Sequence, residues 1–223
     1  MECMFTTHRF SVFVGILVAS TTLSSFALTG PKDTIESIGF RYGNYSDHDY
    51  AGGFIDMARH VYRGNQKTFF LAEIAFGQLS QQHRSNYDHL GVELGLEYRP
   101  LPVTRIAIAG SHDWYIGSPN YRISSAHLRL RQSLLPNDAS VLPYVRVNGA
   151  VQFWNPVRES PARQNESYRL LVLEALAGVE IRIRKDFRWV IEGGRSQSEA
   201  VNNAGPDVAD GWIASIAMRY DWF

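Results

Sequence analysis

The sequence predicts an all-β fold, an antiparallel transmembrane β-barrel with ten strands. Three observations support this prediction. From Thr34 onward, apolar and polar residues alternate in segments that recur roughly every twenty residues, as expected of strands with one apolar and one polar face. Short connections between these segments alternate with longer ones. The chain ends on an alternating segment, 211–223, whose apolar set includes Trp and Tyr, which is typical of a lipid-facing strand.

Ten alternating segments define the strands, and each contains one apolar set of side chains. In chain order these sets are Ile38, Phe40 and Tyr42; Ile55, Met57 and Val61; Phe70, Ala72, Ile74 and Phe76; Leu90, Val92, Leu94, Leu96 and Tyr98; Ile106 and Ile108; Ala126, Leu128 and Leu130; Val145, Val147, Val151 and Phe153; Leu171, Leu173, Ala175, Ala177, Val179, Ile181 and Ile183; Phe187, Trp189 and Ile191; and Trp212, Ala214, Ile216, Met218, Tyr220 and Trp222. The second and fifth segments are the least regular, which leaves eight strands as the alternative.

Two kinds of connection alternate along the chain. Those after the even-numbered strands are short or marked by Pro and Asn, at 63–66, 99–102, 136–139 and 184–186. Those after the odd-numbered strands are mostly longer and more polar, at 45–52, 78–89, 116–121, 156–167 and 197–210. Short turns at one end and longer loops at the other are typical of transmembrane barrels, so we expect both termini at the turn side.

Aromatic residues provide a further indication, because they cluster toward the predicted strand ends as they do at membrane interfaces. These residues are Tyr42, Tyr98, Trp114, Tyr121, Trp154, Trp189, Trp212, Tyr220 and Trp222.

The composition argues against one other class of protein and excludes a second. The 22 basic and 22 acidic residues give a net charge of zero, whereas nucleic-acid-binding proteins usually carry a basic excess. A mean hydropathy of −0.20 excludes a bundle of membrane-spanning helices. It is compatible with a barrel, because the lipid-facing and lumen-facing residues of each strand average out.

The first 27 residues predict a secretory signal peptide, which leaves residues 28–223 as the barrel domain. His8 and Arg9 give a weakly positive start, residues 10–19 are apolar, and Ser25-Phe26-Ala27 fits a cleavage site. Cys3 is the only cysteine and lies in the segment to be removed. The mature chain is therefore expected to contain neither disulfides nor thiolate metal sites.

These features together resemble the small outer-membrane β-barrel proteins of Gram-negative bacteria, the group that includes porin-like and OmpA-type transmembrane barrels. The most specific part is Ile216-Ala-Met-Arg-Tyr-Asp-Trp-Phe223, which is similar to the segment read by the barrel assembly machinery. The resemblance implies location in the cell outer membrane, with outer-membrane lipid, lipopolysaccharide and the assembly machinery as partners. Phe223 lies one residue beyond the outward register of Trp222, which leaves the type of barrel open.

The alternation also predicts a charged lumen. The inward set contains Arg41, Glu73, Glu93, Glu97, Arg105, Arg129, Arg131, Arg146, Glu174, Glu180, Arg182, Glu192 and Arg219. Arginine suits such an interior, because its planar guanidinium binds carboxylates bidentately and stays charged. The chain has 19 arginines and 3 lysines. We predict a lumen charge network of Arg41, Glu93, Glu97, Arg129, Arg131, Glu174 and Arg219.

The predicted function is a structural or weakly pore-forming, porin-like role, without enzymatic activity, cofactor or metal. One alternative is an outer-membrane hydrolase, protease-like or lipid-deacylase-like, with a rim site of His and Asp residues. Its candidate residues are Asp47, His48, Asp49, His83, His89, His112, Asp113, Asp207 and Asp210. The other alternative is a soluble, lipocalin-like binding barrel, in which the apolar side chains face inward.

Overall fold

A computed structural model describes residues 34–45, 48–62, 65–81, 86–117, 120–156, 168–201 and 210–222. They form ten β-strands: β1 (Thr34–Tyr45), β2 (His48–Tyr62), β3 (Asn65–Gln81), β4 (Tyr87–Leu101), β5 (Thr104–Ile116), β6 (Tyr121–Ser133), β7 (Val141–Pro156), β8 (Tyr168–Arg182), β9 (Phe187–Ala200) and β10 (Gly211–Trp222). Ten strands are confirmed, and the alternative of eight is wrong. No helix in the described part of the chain is long and apolar enough to cross a membrane. The predicted signal peptide, 1–27, lies outside the described residues.

The ten strands form one closed antiparallel barrel. Each strand pairs with its neighbours in sequence, and β1 closes the sheet by pairing with β10. This last ladder runs from Thr34 opposite Trp222 to Tyr45 opposite Gly211. Because every strand has a partner on both sides, the sheet has no open edge.

The two ends of the barrel differ. The turn end carries the connections β2–β3, β4–β5, β6–β7 and β8–β9, and the loop end carries the other five. Three predicted loops are shorter than expected, because β2 begins at His48, β3 continues to Gln81 and β9 continues to Ala200. The alternation explains the longer strands: Tyr50 and His89 in the predicted loops are buried, inward-facing strand residues.

Apolar side chains lie outside the barrel and charged ones inside. Leu94 is 52% exposed, whereas the adjacent Glu93 is 8% exposed. Ile108 is 67% exposed, and Ala107 beside it is 5% exposed. A soluble lipocalin-like barrel requires the opposite arrangement, so that alternative is wrong. Large exposed apolar side chains occur on the outer face of strands from β1 to β10.

The aromatic prediction is correct for part of its set. Tyr42, Tyr98 and Trp212 are exposed near strand ends. Tyr121 and Trp154, however, face the lumen at the loop end, because they pair in register with Tyr115 and with the buried Ile123. Their strand positions decide this orientation, since successive side chains of a strand point to opposite faces.

Glycines on the inner face make room for large side chains. A Cβ atom at Gly178 would lie 2.4 Å from Cζ of Tyr144. A Cβ atom at Gly91 would lie 2.4 Å from Oδ1 of Asp113. At both positions glycine leaves room for the side chain of the neighbouring strand to lie against the inner face of the barrel wall.

Two hydrogen bonds connect the β8–β9 turn to the last strand. The Tyr220 hydroxyl donates a hydrogen bond to Oδ2 of Asp186, and the backbone N–H of Asp221 donates to the Asp186 carbonyl at 2.8 Å. The hydrogen bond from Tyr220 lowers the pKa of the Asp186 carboxyl. These contacts fix the end of β10 against the turn.

Candidate functional site

In the half of the lumen near the turn end, three arginine side chains form ion pairs with Glu180. Its side chain is fully buried and receives hydrogen bonds from Arg131, Arg188 and Arg219. The distances to Arg188 Nη1 and Arg219 Nη1 are 3.1 and 3.0 Å. Asp221 adds a second carboxylate, 2.8 Å from Nε of Arg219 and 3.5 Å from Nε of Arg188. A buried carboxylate requires such partners, because an unpaired charge is costly to bury.

Further ion pairs join strands that are two apart in the barrel. Arg129 of β6 donates to Glu93 of β4. Arg146 of β7 donates to Glu192 of β9 at 2.6 Å. Arg41 of β1 lies 3.4 Å from Glu73 of β3. Because each pair skips a strand, its side chains extend from the wall into the lumen and narrow it.

Glu192 shows how completely such a carboxylate is held. Besides Arg146, it accepts hydrogen bonds from the Tyr144 hydroxyl at 3.0 Å and from Ser215 Oγ at 3.1 Å. Arg131 in turn lies over the ring of Tyr144, with Cζ 3.5 Å from the ring centroid. Tyr144 therefore connects the ion pairs around Glu180 with those around Glu192.

The seven residues predicted as a lumen network all face inward, but they rarely contact one another. Among them, Glu93 and Arg129 form an ion pair. Glu97 pairs with Arg99 at 2.6 Å, and Glu174 accepts from Asn148 at 2.9 Å. The other contacts involve partners outside the predicted set: Glu73 for Arg41, and Glu180 for Arg131 and Arg219. Glu180 was predicted to be inward, yet nothing in the sequence marks it as the centre, since contacts between non-adjacent strands depend on the curvature of the barrel.

A second polar cluster lies in the loop-end half of the lumen, where hydrogen bonds form a continuous chain. The Tyr50 hydroxyl lies 3.0 Å from His89 Nδ1, and His89 Nε2 lies 2.9 Å from Asp113 Oδ1. Ser111 Oγ donates to Asp113 Oδ2 at 3.1 Å and lies 3.0 Å from His127 Nε2. Because the single hydroxyl proton of Ser111 is donated to Asp113, Ser111 Oγ is the acceptor in its contact with His127 Nε2.

Of the candidate residues for the hydrolase alternative, the adjacent His112 and Asp113 do not lie on the same face of the sheet. His112 faces outward and Asp113 faces inward, since they are adjacent residues of β5. Asp113 binds His89 instead, whereas His112 Nδ1 lies 2.9 Å from Ser124 Oγ on the outer face. His89 is buried in the lumen, and Asp210 accepts from the Ser198 backbone N–H at 2.5 Å.

The remaining candidates for the rim site lie largely outside the described part of the chain. Asp47, His83 and Asp207 belong to segments that the structure does not describe. Within the described ranges, no group of three or more His, Cys, Asp or Glu side chains could hold a metal ion.

We predict that Glu180→Gln destabilises the barrel strongly. The change leaves three guanidinium groups around a neutral amide, and removing one partner of a buried ion pair costs about 3–5 kcal/mol. The free energy of unfolding in urea, measured in lipid vesicles, reports this loss. Glu199→Gln, on the exposed outer face, is the control and is expected to change stability by less than about 0.5 kcal/mol. Equal stability of the two variants would show that the network does not hold the barrel.

Comparisons with known proteins find solved structures that are similar to this chain in fold. No model of a protein family matches the chain, and a search of curated proteins found no match. The N-terminal β-barrel domain of Pseudomonas aeruginosa OprF is 13% identical, with 85% of this chain and 97% of that chain covered and a TM-score of 0.41. The β domain of the Bordetella autotransporter BrkA is 11% identical, with 85% and 98% covered and a TM-score of 0.49. Neisserial surface protein A is 9% identical, with 84% and 95% covered and a TM-score of 0.44.

Proposed function

We propose that this protein is a structural barrel of the cell outer membrane whose lumen is narrowed by ion pairs and passes at most small ions. The outward apolar surface supports the location. On β4 the outward residues from Leu90 to Tyr98 are apolar or aromatic and mostly exposed. Such a stretch has the length of a membrane-spanning strand, about 9–11 residues.

The positions of charged residues on the outer face agree with an apolar band that spans the membrane. Glu36 and Arg59 lie near the turn end, and Arg122 and Arg169 lie near the loop end. The apolar band between them is expected to meet hydrocarbon, with the charged side chains at the lipid headgroups. Outer-membrane lipid and lipopolysaccharide are the partners that this surface fits, and β10 is the strand that the assembly machinery would read.

The observation that carries the structural role is the ion-pair network around Glu180. A barrel of about eight strands has an interior just wide enough to be filled by side chains, and ten strands leave little more. Here long arginine side chains reach carboxylates on strands two apart, and the cavity among them has a volume of about 180 Å³. This space suits several water molecules rather than a wide diffusion path.

Planar-bilayer recordings test the narrowed lumen. The wild-type protein is expected to give no resolved steps of current, because guanidinium and carboxylate groups occupy the turn-end half. The double variant Arg131→Ala/Glu180→Ala removes two of these side chains and is expected to open measurable steps. Arg122→Ala/Glu199→Ala, on the outer face, is the control and should stay silent. Wild-type steps as large as those of the first variant would contradict the proposal.

One observation favours a second candidate function, hydrolysis of an acyl ester of a membrane lipid. His112 and Ser124 face outward on β5 and β6, with Nδ1 and Oγ 2.9 Å apart. The edge of Trp114 packs near His112, with ring centroids 4.4 Å apart. A polar pair on a lipid-facing wall is costly, and a hydroxyl within hydrogen-bond reach of an imidazole can act as a nucleophile. Ser124 Oγ would attack the ester carbonyl and His112 would pass the hydroxyl proton to the leaving alkoxide; water would then release the acyl group as a fatty acid.

Release of fatty acid from phosphatidylglycerol in mixed micelles, followed by mass spectrometry, tests this second function. Hydrolysis by the wild type that is lost in Ser124→Ala and in His112→Ala would support it. Ser125→Ala is the matched control, because Ser125 is the next residue of β6 and faces the lumen. No release by the wild type, or equal release by all variants, would exclude it.

A further inference from the structure

Three arginines lie side by side on the inner wall of β5, β6 and β7. Arg105 is directly opposite Arg131, and Arg131 is directly opposite Arg146. Directly opposite residues of an antiparallel pair have Cβ atoms about 4.5–5.5 Å apart, and like charges there are destabilising. Such a row therefore requires negative charge nearby.

Two members of the row have a carboxylate partner and the third has none. Arg131 binds Glu180, and Arg146 binds Glu192 at 2.6 Å. Arg105 forms no ion pair or hydrogen bond within the described residues. The charges that act on it most strongly are other arginines, Arg131, Arg219 and Arg99, with Glu97 opposing them. Glu97 also attracts Arg105, but its ion pair is with Arg99, at 2.6 Å.

The same arginines have unused hydrogen-bond donors. The Nε–H groups of Arg131 and Arg146 are buried and have no partner among the described residues. A buried donor without an acceptor destabilises the fold. Water could accept these hydrogen bonds, but it could not offset the repulsion along the row.

The row lines the interior cavity, whose volume is about 180 Å³. The lining contains seven arginines and six carboxylates, so its formal charge is one unit positive. Among the described residues, Arg105 is the arginine of this lining that forms no ion pair. A volume of this size holds several water molecules and is large enough for a small oxyanion.

We propose that the lumen binds a small oxyanion of the inorganic phosphate class between Arg105, Arg131 and Arg146. A planar guanidinium can donate two parallel hydrogen bonds to such an anion, and the donors available to it are the guanidinium of Arg105 and the Nε–H groups of Arg131 and Arg146. The anion neutralises the excess charge and separates the like charges of the row. Arg105 is the second residue of β5, which places the site near the mouth at the turn end. This site goes beyond the proposed structural role and does not depend on whether the barrel conducts.

Titration of the detergent-solubilised protein with inorganic phosphate at low ionic strength, followed by calorimetry, tests the site. The wild type is expected to bind phosphate, and Arg105→Gln is expected to bind about tenfold more weakly or not at all, since a hydrogen bond to a charged group contributes about 1.5–3 kcal/mol. Arg122→Gln, on the exposed outer face, is the matched control and should bind like the wild type.

The unfolding midpoint in urea provides a second readout that does not depend on heat of binding. Phosphate should raise the midpoint of the wild type and of Arg122→Gln, because a ligand that binds the folded state stabilises it. It should leave Arg105→Gln unchanged, provided that this variant shows the same β-type circular dichroism. Absence of phosphate binding by the wild type, or equal binding by Arg105→Gln, would overturn the proposal.

Discussion

The closure of the sheet between β1 and β10 is the constraint on which the other features depend. It pairs the two ends of the described barrel along the whole of β1. A sheet surrounded by hydrocarbon has no water to satisfy an open edge, so every backbone N–H and C=O must be paired within the barrel. Once the sheet is closed, the period of two divides all side chains between one outer and one inner surface.

The charged residues of the inner surface then require partners, and arginines provide them. Charged side chains inside a narrow cylinder lose water and must find partners within reach. Neighbouring strands place like charges together, as with Arg105, Arg131 and Arg146. The partners therefore come from strands two apart, and Glu180 and Glu192 supply them. Long side chains that reach across in this way narrow the lumen, and we propose that the packing that stabilises the barrel also limits its conductance.

Strand number, strand order and the orientation of side chains could be predicted because they depend on local alternation. Leu94 faces outward and Glu93 inward, as the pattern indicates. The pattern also separates His112 from Asp113, although their adjacency in sequence had suggested a joint site. The centre of the ionic network could not be predicted, because the approach of Arg188, Arg219 and Arg131 to Glu180 depends on register and curvature across four strands. The predicted lengths of two loops were too long, because Tyr50 and His89 belong to strands and their side chains face the lumen.

The most direct test of the account measures which side of the wall is in contact with lipid. Single-cysteine variants Leu94→Cys and Ser111→Cys, each combined with Cys3→Ser, carry a spin label on the outer and the inner face, respectively. In vesicles, the label at 94 should be relaxed mainly by oxygen dissolved in the bilayer, and the label at 111 mainly by a water-soluble paramagnetic complex. Relaxation of the label at 94 by the water-soluble complex, or a protein that remains monodisperse without detergent, would contradict the account.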